Sequence, residues 1–158
     1  MYLLQGLIPL KNSKITKLDY PTVVFTAGPG TNSANKYYSA YTVSKISLIK
    51  MIELLDFEIE DMKFLIIGPG MINTKIHDQT LKQPRRSREH HKNVIERIKN
   101  KKYNSLPEFL ACIDYLIKLP KNLIGGRNIS FEFDNWKSNK FKQLLENDIN
   151  RYKLRRKE

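Results

Sequence analysis

The strongest constraint on the fold is a repeated pattern in which a short apolar run ends in a Gly-Pro-Gly turn. The first run spans Thr22 to Thr26 and precedes Gly28 to Gly30, and the second spans Lys63 to Ile67 and precedes Gly68 to Gly70. Runs rich in β-branched residues predict buried strands. From about Tyr38 to Phe57, apolar residues recur at helical spacing around most of the circumference, which predicts a long helix covered on more than one side. Strand, helix and strand in this order predict a parallel crossover unit.

The rest of the chain predicts further helices and one more strand. Ser105 precedes a proline and a glutamate, which predicts a capped helix that runs to about Lys118 and cannot continue through Pro120. Alternating apolar residues from Arg127 to Phe133 predict a third strand with one wetter face, and a last helix is expected from roughly Ser138 to Ile149. The order of elements therefore predicts an α/β layer with three parallel strands.

Length and composition indicate one packed domain. A chain of 158 residues, 41% hydrophobic, is long enough for a single ordinary core. Its one cysteine, Cys112, cannot form an internal disulfide. No apolar stretch approaches the roughly 20 residues that span a bilayer. The first ten residues lack the basic leader and cleavage site of a signal peptide. We therefore expect a cytoplasmic protein that does not bind membranes.

The chain carries a formal charge of +12, from 28 Lys and Arg against 16 Asp and Glu. Between Lys82 and Lys102 there are nine basic and two acidic residues, and Arg151 to Lys157 holds five more bases. Basic runs without a base-reading motif usually form solvated surfaces, here a helix face from Ser87 onward and a frayed tail. Nucleic-acid binding is therefore disfavoured, and recognition of phosphate on a substrate or cofactor is the alternative.

The chemistry of the chain centres on Tyr41 and Lys45, which are four residues apart. This spacing places both side chains on one face of a helix, and open α/β sheets bind ligands at the ends of their strands. An ammonium group close to a phenol favours the phenolate and lowers its pKa. The spacing alone is common on helices. Its position between the hydroxyl of Thr26, at the end of one strand, and the loop Pro69 to Thr74, after the next, makes proton transfer by Tyr41 the stronger hypothesis.

In this order the motifs resemble the short-chain dehydrogenase/reductase family. The stretch Val23 to Gly28 resembles the strand that carries the family's catalytic serine, and Tyr41 and Lys45 match its Tyr-x-x-x-Lys pair. The loop after the second strand, Ile67 to Thr74, matches its Pro-Gly…Thr cofactor loop. The resemblance runs from about Leu3 to Tyr152 and corresponds to the C-terminal half of a family member.

The resemblance implies a fold that is a partial Rossmann-like, doubly wound parallel sheet of about three strands with flanking helices. It implies that the N-terminal cofactor-binding βαβ half is lacking. Residues 1–150 then form a single truncated domain, and residues 151–158 form a basic C-terminal tail.

The resemblance also implies an oxidoreductase that transfers hydride between NAD or NADP and the hydroxyl or carbonyl group of a small molecule. Tyr41 would be the general acid/base, and Lys45 would lower its pKa and bond the nicotinamide ribose. The implied cofactor-binding residues are Tyr41, Lys45, Pro69, Gly70, Met71, Ile72 and Thr74. The stretch Gly126 to Ser130, with Trp136, looks like a bacterial subgroup often found near surface-polysaccharide genes, which points to a sugar-related substrate.

Two departures from the family pattern affect these expectations. The catalytic serine falls on Thr26, Ala27 or Gly28, so that only the Thr26 hydroxyl remains to polarise a substrate carbonyl. The glycine-rich turn has no counterpart, because neither Gly-Pro-Gly turn has the spacing that aims backbone amides at a pyrophosphate. We therefore expect cofactor binding by this chain alone to be weak or absent. We also expect a bare edge on the first strand, which favours homo-oligomers or pairing with a separate N-terminal fragment.

One other interpretation of the sequence follows from these departures. The chain could be a noncatalytic remnant whose helix from Tyr38 to Phe57 pairs with another subunit, as the corresponding helix does in dimers of the family. No metal site is predicted, because His77, His90 and His91 lack zinc-ligand spacing with Cys112.

Overall fold

A computed structural model of the chain describes residues 6, 20–32, 34, 36–72, 95–100 and 102–156. Three strands and four helices are the principal elements of these residues. In chain order they are β1 (Thr22–Thr26), α1 (Ser39–Glu58), β2 (Lys63–Gly68), α2 (Leu106–Lys118), α3 (Lys121–Ile124), β3 (Asn128–Ser130) and α4 (Asn139–Asn147). A short helical stretch at residues 95–99 precedes α2.

The strands form one parallel sheet in the order β1-β2-β3. Thr22 is in register with Lys63 and Ile66 with Asn128, so β2 is the central strand. The five residues from Lys63 to Ile67 are buried, as expected for a strand covered on both faces. The prediction of an open α/β sheet with three parallel strands is confirmed.

Helices cover both faces of this sheet. Alternate residues of a strand point to opposite faces, and on β2 Phe64 and Ile66 pack against α1 while Leu65 and Ile67 face the other layer. The second layer consists of α2, α3 and α4, and it contributes Phe109, Cys112, Leu116, Ile124, Phe141 and Leu145 to the core. The described part of the chain therefore has two hydrophobic clusters, one on each side of the sheet.

Local capping explains where α2 and α4 begin. The hydroxyl of Ser105 accepts a hydrogen bond from the amide of Glu108, and that of Ser138 accepts one from the amide of Phe141. Each serine satisfies an amide that has no partner inside its helix. At the other end of α2, Pro120 follows the C-cap residue Leu119 and initiates α3. The predicted start of α2 and its predicted end near Lys118 are confirmed.

Buried or partly buried cations bind carbonyls at the C-terminal ends of three helices. Lys121 Nζ donates to the carbonyl of Asp56 in the last turn of α1 and to those of Ile59 and Met62 just after it. Lys63 Nζ donates to Ile117 and Leu119 at the end of α2. The Arg127 guanidinium donates to the carbonyls of Leu145, Asp148 and Arg151 beyond α4. These cations satisfy carbonyls that lack partners and offset the negative end of each helix dipole.

Two predicted lengths differ from the structure. The alternation from Arg127 to Phe133 predicts a longer third strand, but β3 ends at Ser130. There the Ser130 amide donates to the Asp134 carboxylate at 2.7 Å, and the Phe133 amide donates to the Ser130 hydroxyl, so the chain turns out of the sheet. The last helix ends at Asn147 rather than Ile149.

The basic tail contacts the rest of the fold as far as Arg155, and the prediction that it frays is wrong for residues 151–155. The carbonyl of Tyr152 accepts the amide of Asn128 on β3, and its ring stacks on Phe141 at 5.9 Å. Leu154 packs on the α1 side of the core, and Arg155 pairs with Glu53 of α1. Among the residues described, no helix combines the length and apolar character that crossing a membrane requires.

Candidate functional site

The candidate site lies where β1 ends beside the first turns of α1. The hydroxyl of Tyr41 lies against Gly28, two residues beyond β1, and a methyl group built on Gly28 would overlap with it. Glycine at this position therefore permits the close approach of the phenol to the backbone. Tyr41 is 38% exposed, and its ring makes an edge contact with Tyr38 at 5.9 Å between centroids.

Lys45 lies one helical turn after Tyr41, on the same face of α1. Its Nζ is 5.8 Å from the centroid of the Tyr41 ring and donates a hydrogen bond of 3.0 Å to the backbone carbonyl of Thr26. This hydrogen bond connects α1 to the end of β1. The structure therefore brings Tyr41, Lys45 and the end of the first strand together, as the spacing in the sequence predicts.

The pKa of Tyr41 differs from the prediction. Burial raises the pKa of the Tyr41 phenol above its ordinary value, whereas a lysine-bound phenol would have a lowered one. The Lys45 ammonium is hydrogen-bonded to the Thr26 carbonyl and does not lower the pKa of Tyr41 in this arrangement. Burial therefore favours the protonated, neutral form of the Tyr41 phenol.

The predicted role of the Thr26 hydroxyl is not supported by the geometry. Phe25 and Ala27 pack with the cluster beneath α1, so the Thr26 side chain, which lies between them, points to the opposite face of the sheet. The side chain of Thr26 is exposed, and its contact with Lys45 uses the main-chain carbonyl. The residue next to the Tyr41 hydroxyl is Gly28, which carries no hydroxyl.

The loop after β2 lies at the same end of the sheet, because parallel strands end at one edge. Of its predicted cofactor-binding residues, Pro69 is partly buried, Gly70 is exposed, Met71 is 8% exposed and Ile72 packs against the core. Gly70 is therefore the one exposed residue among these four. Thr74 lies outside the described residues.

Asn104 and Glu132 contact this loop, and the sequence motifs did not identify either residue. Asn104 Nδ2 donates to the carbonyl of Pro69 at 3.0 Å, and its amide donates to the carbonyl of Met71 at 2.8 Å. Glu132 accepts from Asn104 and pairs with Arg97 at 3.2 Å. These residues are more than 30 positions from the loop in the sequence, so no local pattern could have indicated the contact.

The described residues fit the nicotinamide-ribose end of a dinucleotide better than its pyrophosphate. Tyr41 and Lys45 present a phenol and an ammonium at the strand ends, which suits a carbonyl and ribose hydroxyls. Gly28 packs against Tyr41, and Gly30 packs against the Thr42 side chain. Both glycines therefore accommodate side chains of α1.

Trp136, the other aromatic residue to which the sequence points, is packed in the core. Trp136 is 7% exposed and packs against Tyr115 and Phe131, with the Lys137 ammonium 4.9 Å from its ring. Among the described residues, no group of three or more His, Cys, Asp or Glu is arranged to hold a metal ion. The three histidines lie outside the described residues.

Comparisons with protein-family models, with curated proteins and with solved structures found no match for the chain. The assignment of function therefore depends on the residues themselves.

Proposed function

We propose that the chain supplies the acid/base side of an NAD(P)-dependent oxidoreductase of the short-chain dehydrogenase/reductase type. It would reduce a carbonyl group, or oxidise the corresponding hydroxyl, on a small molecule of sugar-related chemistry. The sheet would be a partial Rossmann-like sheet. The glycine-rich turn that binds the pyrophosphate would come from a separate segment that pairs with the open edge of β1.

The observation that carries this proposal is the position of Tyr41. Its hydroxyl lies at the end of β1, against Gly28, while Lys45 approaches the same strand end from the next turn of α1. The loop from Pro69 to Met71 ends the neighbouring strand. An acid, a cation and a backbone loop thus converge where open α/β sheets bind their ligands.

The chemistry of the site follows from the protonation state of Tyr41. The bound nicotinamide would supply or accept the hydride. Because burial raises the pKa of the phenol, Tyr41 holds its proton at neutral pH and donates it to the oxygen of a carbonyl that is being reduced. Lys45 would exchange the Thr26 carbonyl for ribose hydroxyls and remain close to the phenol.

Titration with NADH and NADPH, with and without the product of a neighbouring reading frame that encodes a glycine-rich turn, tests the proposal. We expect Tyr41→Phe to abolish carbonyl reduction while cofactor binding persists, because only the proton donor is removed. Tyr37→Phe is the matched control, since it removes an exposed phenol just before the same helix. If neither NADH nor NADPH binds at millimolar concentration, with or without the product of the neighbouring reading frame, the proposal is refuted.

A second candidate function is that of an interaction module, and an apolar stripe on α1 favours it. Val43, Leu54 and Phe57 are 61%, 47% and 84% exposed. Leu54 and Phe57 follow Val43 by 11 and 14 residues, which are close to three and four helical turns, so the three side chains lie on one side of α1. Replacing Leu54 by glutamate should abolish association through this surface without altering the two hydrophobic clusters. Sedimentation velocity decides the question, and an unchanged association state in Leu54→Glu would exclude this surface.

A further inference from the structure

The loop after β2 is held in place by hydrogen bonds from one asparagine. Asn104 donates its side-chain amide to the carbonyl of Pro69 and its backbone amide to the carbonyl of Met71. The two bonds lie on either side of Gly70, which has a positive φ of 66°. Asn104 therefore holds the residue before Gly70 and the residue after it.

Glu132 in turn holds Asn104. Its two carboxylate oxygens divide between partners, because Oε1 accepts from Arg97 at 3.2 Å and Oε2 contacts Asn104 Nδ2 at 3.5 Å. Glu132 lies two residues after the end of β3, and its side chain is 23% exposed. The carboxylate thus connects the loop after β2 to the turn after β3 and to the short helical stretch at residues 95–99.

Gly70 shows how closely this network lies against the loop. A methyl group built on Gly70 would overlap with Asn104 Nδ2 and with Glu132 Oε2, and its positive φ would strain any L-residue. The side chains of Asn104 and Glu132 therefore constrain both the shape of the loop and the residue that it can contain.

We propose that Asn104, held by Glu132, is a positioning residue that shapes the Pro69–Met71 loop for the nicotinamide end of the cofactor. This inference rests on the proposed function. Asn104 acts through the backbone of the loop and does not contact the reacting atoms. Its effect should therefore be restricted to ligands that contain the nicotinamide ring.

Hydrogen–deuterium exchange of the full chain tests the structural step without any ligand. Asn104→Ala and Asn104→Asp both remove the side-chain donor, and the aspartate retains its size. We expect each to accelerate exchange about tenfold in a peptide that covers residues 68–72, the equivalent of one lost hydrogen bond. Asn122→Ala, an exposed asparagine on α3, is the matched control and should leave that peptide unchanged. Unchanged exchange in both Asn104 variants overturns the inference.

Binding of NADH and of ADP-ribose, which lacks the nicotinamide, tests the functional step. We expect Asn104→Asp to weaken NADH about tenfold and to leave ADP-ribose unaffected. Equal weakening of both ligands would indicate a general loss of structure and overturn the inference. If the unmodified chain, completed by its partner segment, binds neither ligand, the proposed function fails and the cofactor role of Asn104 fails with it. The exchange experiment then still decides whether Asn104 holds the loop.

Discussion

Basic side chains in this protein serve as internal ligands for carbonyl groups. Lys63 is 4% exposed and Arg127 is 1% exposed, and each binds two or three main-chain oxygens at a helix end. A buried cation is costly unless hydrogen bonds replace its water, and these carbonyls supply the replacement. The net charge of +12 therefore includes cations that take no part in an external surface.

Lys121 is the clearest test of this arrangement. It donates to three carbonyls at the end of α1 and pairs with the Asp56 carboxylate at 3.1 Å, where both side chains are less than one-fifth exposed. We expect Lys121→Met to lower the free energy of unfolding by about 2–3 kcal/mol, because it retains the aliphatic stem and leaves those acceptors unpaired. Urea denaturation measures this change. Lys118→Met, at an exposed position in the last turn of α2, should change stability by less than about 0.5 kcal/mol.

Cys112 makes the free energy of unfolding depend on pH in the alkaline range. Burial raises the pKa of its thiol from 9.0 to about 12. Between these values the unfolded chain loses the proton and the folded chain keeps it. The contribution of Cys112 is therefore complete below about pH 9, and the free energy of unfolding then falls by up to about 1.4 kcal/mol per pH unit. Denaturation curves from pH 8 to about 11 should fall less steeply for Cys112→Ala, which has no thiol to titrate. Parallel curves for the two proteins would contradict this account.

Sequence reasoning was successful for individual residues when the interaction was local. The capping role of Ser105 and the shared helix face of Tyr41 and Lys45 follow from spacings of three and four residues. The direction of the Thr26 side chain could not be predicted from the sequence, because it depends on which face of β1 packs against α1, and the raised pKa of Tyr41 depends on its burial in the folded chain. The contact of Asn104 with the Pro69 carbonyl could not be predicted, since it spans 35 residues.

The element with the most open hydrogen-bonding capacity is β1. The carbonyl of Pro21 and the amide of Ala27 form hydrogen bonds with β2. In a parallel pair, every second residue between them therefore points its amide and carbonyl toward β2, and the others point theirs to the opposite side. Val23 directs its backbone groups to β2, whereas Val24 directs them away. On that outer side Lys45 binds the Thr26 carbonyl, and within the described part of the sheet no strand pairs with this edge. The outer edge is therefore available to another strand.

Proline substitutions at Val23 and Val24 test this edge with matched chemistry. Both valines are partly buried, but only Val23 uses its amide for the bond to β2. We expect Val23→Pro to be less stable than Val24→Pro by at least about 1 kcal/mol, the net value of one hydrogen bond. We also expect Val24→Pro to abolish association through the edge. Thermal unfolding and sedimentation velocity measure the two effects, and equal association of Val24→Pro and the unmodified chain would exclude the edge as the interface.

Elements with a continuous apolar run were predicted well from the sequence. Both strands of the crossover and α1 fall within one or two residues of their predicted bounds, because apolar residues recur throughout each of them in the sequence. The third strand was predicted too long, since alternation continues to Phe133 while the Asp134 carboxylate ends the strand at Ser130. A side chain that takes the hydrogen bond of a strand amide does not change the alternation of apolar residues, so the sequence pattern cannot show where the strand ends.

At the scale of the whole molecule, the segment after α4 connects the two helical layers at the β3 edge of the sheet. The described segment after α4 returns to β3, where the Tyr152 carbonyl accepts the Asn128 amide at 2.8 Å. Leu154 and Arg155 then reach α1 on the other face of the sheet, and Arg155 bonds both oxygens of Glu53. This segment is the only described part of the chain beyond β3 that contacts both hydrophobic clusters. It therefore links the two layers across the edge of the sheet.

Stepwise shortening of this segment tests its contribution to the whole fold. A stop codon in place of Tyr152 removes the partner of the Asn128 amide, the ring on Phe141 and the Leu154 contact. We expect a loss of about 3–5 kcal/mol, the sum expected for a buried hydrogen bond and two apolar side chains. A stop codon in place of Lys157 removes two residues beyond these contacts and should leave the unfolding free energy unchanged. Arg155→Met should cost less than about 1 kcal/mol, because its ion pair is partly exposed and screened by salt. If urea denaturation shows that the Tyr152 stop is as stable as the Lys157 stop, the segment does not join the layers, and the packing of β3 against α4 must hold that edge of the sheet alone.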